Sequence, residues 1–327
     1  MSGFDDAVTR VMAARVPGDL FGGGDSGRAY RMLAKALHPD AAPAGSAATA
    51  TRAFTRLSDL WAAHHDDTTM VTHRGTYRVG PLRYTGDLAD LYTVDDGTAL
   101  LKLPRHPADS DLMSREARAL ARLRDHGEAR HHAYAPRLIE SFTHRDPAGG
   151  TRRTATVLAH QDGFVNLARV KQSHPDGVDP RDAAWMWRRL LVAVGYAHRA
   201  GVVHGAVVPD HVLIHPGEHG LVLVDWCYST TEPGQTVPAL AGGYRDLYPP
   251  EVTGKRPAGP ATDVHLATRC MTWLMGDRTP PALARFARGC TLPDPNTRPH
   301  DAWRLLAELD ELLETLYGPR AYRPFTL

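Results

Sequence analysis

Cysteine is scarce in this 327-residue chain: Cys227, Cys270 and Cys290 stand far apart, with no CxxC pair. That excludes a disulfide framework and a thiolate zinc knuckle. Charge of one sign is lacking too, because 38 Lys and Arg against 37 Asp and Glu leave +1. A global pull toward nucleic acid or an anionic membrane is therefore not expected, and neither is a partner of either kind. No stretch approaches the roughly 18 apolar residues of a membrane span. The first residues carry Asp5 and Asp6 where a secretory signal needs a continuous apolar segment. The 18 histidines are scattered and include no HExxH. These absences predict a cytoplasmic protein, long enough for two or three domains with a sizeable core.

Residues 1–68 read as helical. In "DAVTRVMAARV", Val8, Val11, Met12 and Val16 fall at helical spacing. "LFGGGDSG" interrupts the pattern, and Asp25 or Ser26 can cap the next helix. "RAYRMLAKALHPD" then sets Tyr30, Leu33 and Leu37 on one face and Arg28, Arg31 and Lys35 on another. After the loop "HPDAAPAGSAAT", Ala50, Phe54, Leu57 and Trp61 mark a further amphipathic helix. Two helices around His38-Pro39-Asp40, the first of them basic, resemble the J domain of DnaJ-type co-chaperones. The resemblance implies a protein partner, a DnaK-type ATPase, met by His38, Pro39, Asp40, Arg28, Arg31 and Lys35. A helical hairpin that merely docks on the rest of the chain fits the same letters.

After a linker at 69–75 the texture becomes strand-like. "DDG" at 95–97 is a hairpin signal joining Leu88–Val94 to Thr98–Leu103. A helix is predicted in "SDLMSREARALARLRDH", strands near 137–142 and 153–160, and mostly helix from 161 to the end. "DPRDAAWMWRRLLVAVGYAHRAG" opens with a capping Asp179 and Pro180 and stops at Gly201.

A β-rich part (76–160) followed by a helical part (161–327) resembles the protein-kinase fold, and the landmarks occur in order. Lys102 in "ALLKLP" ends a strand where the family's phosphate-binding lysine sits. Glu116, in the next helix, stands at its ion-pair partner's position. "LVLVDWCYS" resembles the metal-binding Asp-Phe-Gly, with Asp225 kept, Trp226 for Phe and Cys227 for Gly. "LYPPEV", "TDVHLATRC" and "PNTRPHDAWRLL" resemble the architectural landmarks of the helical part. They imply that Glu251 pairs with Arg298 and that Asp263 braces the catalytic loop.

That loop, "GVVHGAVVPDHVLIHP", departs from the pattern. His204 is retained and is expected to be structural, but Ala206 replaces the catalytic Asp and His211 replaces the metal-binding Asn. Alanine can neither accept nor orient a proton. Imidazole suits Mg²⁺ poorly, which leaves Asp225 with His211 as a narrow opening for unusual metal chemistry. The Gly-rich loop keeps Gly86 but has Tyr84 and Ala89 at the outer glycine positions, with Asp87 and Asp90 nearby. A Cβ there hinders the approach of phosphates to backbone amides.

The expectation is an α+β, bilobal protein-kinase-like fold preceded by a small helical J-like domain. Its nucleotide residues would be Gly86, Lys102, Glu116 and Asp225, holding ATP weakly with Mg²⁺ or Mn²⁺. The leading reading is a catalytically impaired pseudokinase adaptor. The alternatives are an atypical phosphoryl or nucleotidyl transferase using Asp225 and His211, and a DnaJ-type co-chaperone with a kinase-like client-binding part.

Overall fold

The computed structural model describes residues 3–14, 17–21, 26–38, 42–43, 45–66, 68–145 and 152–327. Of the residues singled out above, Val16, Asp25, Pro39 and Asp40 lie outside the described residues. The chain divides into two compact units. One gathers the described residues up to Thr85 with Asp90–Leu101, the other Gly86–Ala89 with Lys102–Leu327.

The first unit opens with four helices: α1 (Gly3–Ala13), α2 (Gly18–Phe21), α3 (Ser26–Leu37) and α4 (Ala47–Asp66). Their shared core is Ala7, Val11, Leu33, Leu37, Ala53, Leu57 and Leu60. Trp61 stacks on Tyr30, with ring centroids 4.3 Å apart, and meets Phe21 edge-on at 5.1 Å. The apolar stripe of α1 differs from the sequence expectation. Ala7, Val11 and the following Ala14 are buried, while Met12 is exposed. Spacing alone does not say which of two adjacent apolar residues turns inward, and here the smaller alanines permit the close approach.

Strand β1 (Thr68–Val71) pairs antiparallel with β2 (Thr76–Thr85). It occupies much of the stretch expected as a linker. Val71 and the threonines of "TTMVT" favour extended backbone, and the Thr72 amide donates to the Gly75 carbonyl to close the turn. In β2 the register shifts between Val79 and Leu82, around Gly80-Pro81, where proline cannot donate to a ladder. β3 (Ala89–Val94) and β4 (Ala99–Pro104) flank the turn Asp95–Gly97. Asp95, Asp96 and Gly97 all have positive φ there, which Asp and Gly tolerate best. The strand order is β1-β2-β3-β4, and β4 runs on into the second unit.

In the second unit the end of β4 is followed by α5 (Ser110–His126), β5 (Leu138–Arg145) and β6 (Arg152–Ala159), with order β4-β6-β5. Then come β7 (Val165–Asn166), α6 (Leu167–Ser173) and α7 (Pro180–Arg199). α7 starts as its sequence dictates: the Asp179 carboxylate accepts the Arg181 amide and Pro180 takes the first turn. It buries Trp187, Met186, Leu190 and Leu191 in the main core. The hairpin β8 (Val212–His215) and β9 (Gly220–Leu223) pairs Val212 with Leu223. It sets the two loop ends that carry His211 and Asp225 beside each other, and Val224 N–H donates to the His211 carbonyl. The chain continues through α8 (Pro250–Thr253), α9 (Pro260–Met275), α10 (Pro281–Cys290) and α11 (Ala302–Tyr317). Among the described residues, no helix is long and apolar enough to cross a membrane.

One buried ion pair ties α8 to the segment before α11. Arg298 donates from both terminal nitrogens to Glu251, at 2.7 and 2.9 Å, and Thr262 adds a hydroxyl donor at 3.0 Å. Burial alone would push the Glu251 carboxyl up, but Arg298 holds it below its ordinary range. Removing one partner leaves an uncompensated buried charge. Arg298→Ala is expected to lower unfolding stability by about 3–5 kcal/mol, read from urea denaturation. Arg298→Lys should recover only part of this, because an ammonium cannot reproduce the two-pronged bond.

Candidate active site

The site is built where β4, α5 and the segment after β9 converge. Lys102 at the inner end of β4 is buried, and its ammonium donates to Glu116 Oε1 of α5 at 3.0 Å. It also donates to Asp225 Oδ1 and lies 3.2 Å from Cys227 Sγ. Burial by itself would lower the lysine's pKa, yet the charges around it, Asp225 first, hold it well above the usual range. Asp225 is held well below the carboxylate range: burial works against this, and the Lys102 ammonium overcomes it. Glu116 moves the other way, pushed up by burial despite Lys102. Asp225 therefore carries the firm negative charge beside the ammonium. Burial also pushes the Cys227 thiol up, as befits a protonated packing residue and not a nucleophile.

Asp225 has left-handed backbone, φ 62° and ψ 53°. Its neighbour Trp226 is anchored by a bond from the indole N–H to the Leu223 carbonyl, at 2.8 Å. Arg115, beside Glu116 on α5, donates to the Ser229 carbonyl at 3.1 Å. The helix that carries the glutamate is thus also bonded to the chain that carries the aspartate.

The catalytic-loop segment is braced from α9. Asp263 accepts the His204 amide at 2.7 Å and the Gly205 amide at 2.8 Å, and its Oδ2 lies 2.9 Å from His198 Nε2. His204 has its Nε2 2.9 Å from the Val224 carbonyl, while its Nδ1 accepts the Ala206 amide at 3.2 Å. That pattern requires a neutral ring with the proton on Nε2, and burial lowers its pKa to about 4. Gly205 has φ +77°, and a Cβ there would lie 2.8 Å from the Tyr228 carbonyl. Ala206 is wholly buried and offers no polar side-chain atom.

His211 comes next, in a short turn before β8. Its Nδ1 lies 2.9 Å from the Ala206 carbonyl, and its Nε2 lies 3.6 Å from Asp225 Oδ2. Asp210 faces elsewhere, accepting from Asn166 and the Tyr244 hydroxyl, both at 2.9 Å.

Gly86 sits in a tight turn in which its amide donates to the Ala89 carbonyl at 2.9 Å. Two residues that sequence reasoning did not connect hold this turn. Arg105 donates to the carbonyls of Gly86, at 2.7 Å, and Asp87, and the Tyr228 hydroxyl donates to the Asp87 carboxylate. The loop's Asp87 is thus tied to the residue next to Cys227. The signal was present as an acid in the loop and a basic residue after Pro104, but nothing in their spacing says that they meet.

Of the residues expected to meet a partner, the four described ones lie in the first unit. Arg28, Arg31 and Lys35 are on α3, and the exposed His38 comes directly after it, with its ring edge toward Phe54 at 5.8 Å.

A family model described as "Lipopolysaccharide kinase (Kdo/WaaP) family" matches residues 59–229, just over half of the chain. The chain belongs to that family. Within this Kdo/WaaP-family chain, 85 residues are 35% identical to Sperm motility kinase Z of Mus musculus, covering 25% of this chain and 17% of that protein. Another 45-residue match is 40% identical to Casein kinase II subunit alpha' of Saccharomyces cerevisiae, covering 14% of this chain and 13% of that one. The chain thus spans no more than about a sixth of the length of these curated relatives. The BubR1 kinase domain superposes with a TM-score of 0.59 at 16% identity, over 77% of this chain and 84% of that one. The Kdo/WaaP-type chain therefore has a kinase-like α+β fold.

Kinases of this fold work with a nucleotide and a divalent cation, and the residues present fit one cation better than two. Asp225 offers a partly exposed carboxylate and His211 an adjacent nitrogen, while Ala206 offers nothing. Lys102 would meet phosphate oxygens once its bond to Asp225 loosens.

His204 and the buried His265, which burial also brings to about 4, contribute to the acid response of the fold. Unfolded histidines bind protons near pH 6.5, whereas these two stay neutral in the native state down to about 4. The unfolded state then holds more protons between these values, so stability falls as pH drops through that window. Each group contributes up to about 1.4 kcal/mol per pH unit. Urea midpoints at pH 7 and 5 should show the loss, and His265→Asn should reduce the slope.

Proposed function

We propose that this Kdo/WaaP-type kinase is a catalytically impaired, kinase-like regulatory protein that holds ATP weakly with one divalent cation and acts through a protein partner. The observation that carries this reading is the pairing of an intact Lys102–Glu116–Asp225 cluster with a buried alanine at the proton-accepting position. The first can orient phosphates and a cation, while the second removes the group that would activate a substrate hydroxyl. No other carboxylate takes its place among the described residues around the loop: Asp210 is bound to Asn166 and Tyr244, and Asp87 to Tyr228.

The first-unit helices supply the partner-binding part of the proposal. Arg28, Arg31 and Lys35 on α3, with His38 after it, support a J-like docking surface for a DnaK-type chaperone. If that surface carries the main activity, the kinase-like part binds clients instead. His38→Gln should then abolish stimulation of the partner ATPase.

A second reading, transfer of a phosphoryl or nucleotidyl group by altered chemistry, is favoured by His211 Nε2 facing Asp225. One experiment separates the two. Thermal unfolding with ATP, with and without Mg²⁺ or Mn²⁺, should show a raised midpoint for the native chain; ligand at 100 times Kd adds about 2.7 kcal/mol. The shift should vanish in Lys102→Met, each variant being compared with its own ligand-free midpoint. Incubation with labelled ATP should transfer no label. Transfer that disappears in Asp225→Asn would replace the regulatory reading by the transferase, and the absence of any midpoint shift would remove nucleotide from both.

A further inference from the structure

The Ala206 carbonyl can only accept a hydrogen bond, so the contact at 2.9 Å places the ring proton of His211 on Nδ1. In the neutral ring this leaves the lone pair on Nε2, and Nε2 points at Asp225 Oδ2 across 3.6 Å. Two electron-rich atoms thus face one gap. Asp225 Oδ1 is already committed to Lys102, so Oδ2 is the oxygen left for that gap.

The imidazole cannot swing away. It is 3% exposed and lies against the Tyr228 ring, with centroids 5.5 Å apart and planes 24° apart. The His204 ring stands 6.2 Å off, and the His211 amide donates to the Val208 carbonyl.

A different cluster, Glu116, Asp225 and Cys227, also brings three ligand atoms within 4.8 Å of one another. The Lys102 ammonium is bonded to all three of those residues and therefore fills the place a metal ion would need. The gap on the His211 side has no such internal cation.

We propose that His211 Nε2 and Asp225 Oδ2 form a nitrogen–oxygen site that selects a first-row transition-metal dication over Mg²⁺. The reason is ligand chemistry. Mg²⁺ prefers an all-oxygen shell and gains little from imidazole, whereas transition-metal dications bind imidazole well. With Ala206 contributing no donor, the site holds a single ion whose other positions stay open to water or phosphate oxygens. The inference rests on the cation-assisted reading above and narrows which ion serves it. A proton on Nε2 is the competing occupant of the gap.

Mn²⁺ alone, added to the full chain without nucleotide, is the probe. Electron paramagnetic resonance should show saturable binding, and pulsed measurement of the bound ion should show nitrogen-14 coupling from one imidazole. Mg²⁺ should displace the bound Mn²⁺ only at roughly tenfold or greater excess, in keeping with the ligand preference. His211→Asn should remove the nitrogen coupling and lower that excess about tenfold, since its amide offers an oxygen. Asp225→Asn should abolish binding, with circular dichroism confirming that each variant is folded.

No saturable Mn²⁺ binding, bound Mn²⁺ without nitrogen coupling, or coupling that persists in His211→Asn would each overturn the proposal. Nucleotide binding is read separately, from the unfolding midpoint without metal. Nitrogen-coupled Mn²⁺ with no nucleotide shift would therefore sink the nucleotide reading and leave this one standing. A nucleotide shift in a chain whose Mn²⁺ shows no nitrogen would do the reverse.

Discussion

A single ammonium group, that of Lys102, holds the chemistry of this molecule together. It donates to carboxylates on a helix and on the segment after β9, and it touches the sulfur of Cys227. Taking a lysine and two carboxylates out of water costs several kcal/mol for each ion, and only close mutual pairing offsets that. The cluster therefore makes sense only as a set. A chain that had given up binding anything here could replace it with apolar residues at little cost or some gain in stability. Its persistence beside an alanine at position 206 is what argues for a bound phosphate or cation in place of bare scaffolding.

Much of this was legible in the sequence, for a physical reason. A strand that ends in lysine after an Asp-Gly hairpin, a helix with glutamate, and a valine-rich strand that ends in aspartate are local signals. The resemblance to kinases supplied their order, and together they pointed to the kinase-like fold and to Lys102 beside Glu116; that Asp225 and Cys227 close on the same ammonium was not foreseen. That Glu251 meets Arg298, and Asp263 the loop amides, was implied by the resemblance alone, since no local signal in the sequence pairs them.

What was not legible depends on where chain segments meet in space. The pinning of the Gly86 turn joins Arg105 and Tyr228, which are 123 positions apart, to one loop, and no spacing rule links them. The same holds for His211: the sequence shows a histidine where an asparagine is expected, but which nitrogen faces Asp225 is decided only by the Ala206 carbonyl. Strand β1 escaped because four residues are too few to show an alternation, and its pairing with β2 is what makes it a strand. In the stripe of α1, Val8 and Val11 meet the core as expected, and Met12 turns outward, its place taken by Ala7 and Ala14.

The loop that carries Ala206 keeps a braced backbone with no polar side chain at that position. Its backbone is held by Asp263 from below, by His204 against Val224, and by the bridge in which Val203 and Thr230 exchange two hydrogen bonds of 2.9 Å. None of these bonds involves the side chain at 206. Because that position is fully buried, an aspartate there would need a cation, a hydroxyl or water to offset its desolvation. Alanine removes that cost without disturbing a single brace. His211 sits in a fixed frame: its Nδ1 is bound to the backbone carbonyl of Ala206. This loop offers no base at position 206, and instead sets an oriented nitrogen beside the half-buried carboxylate of Asp225.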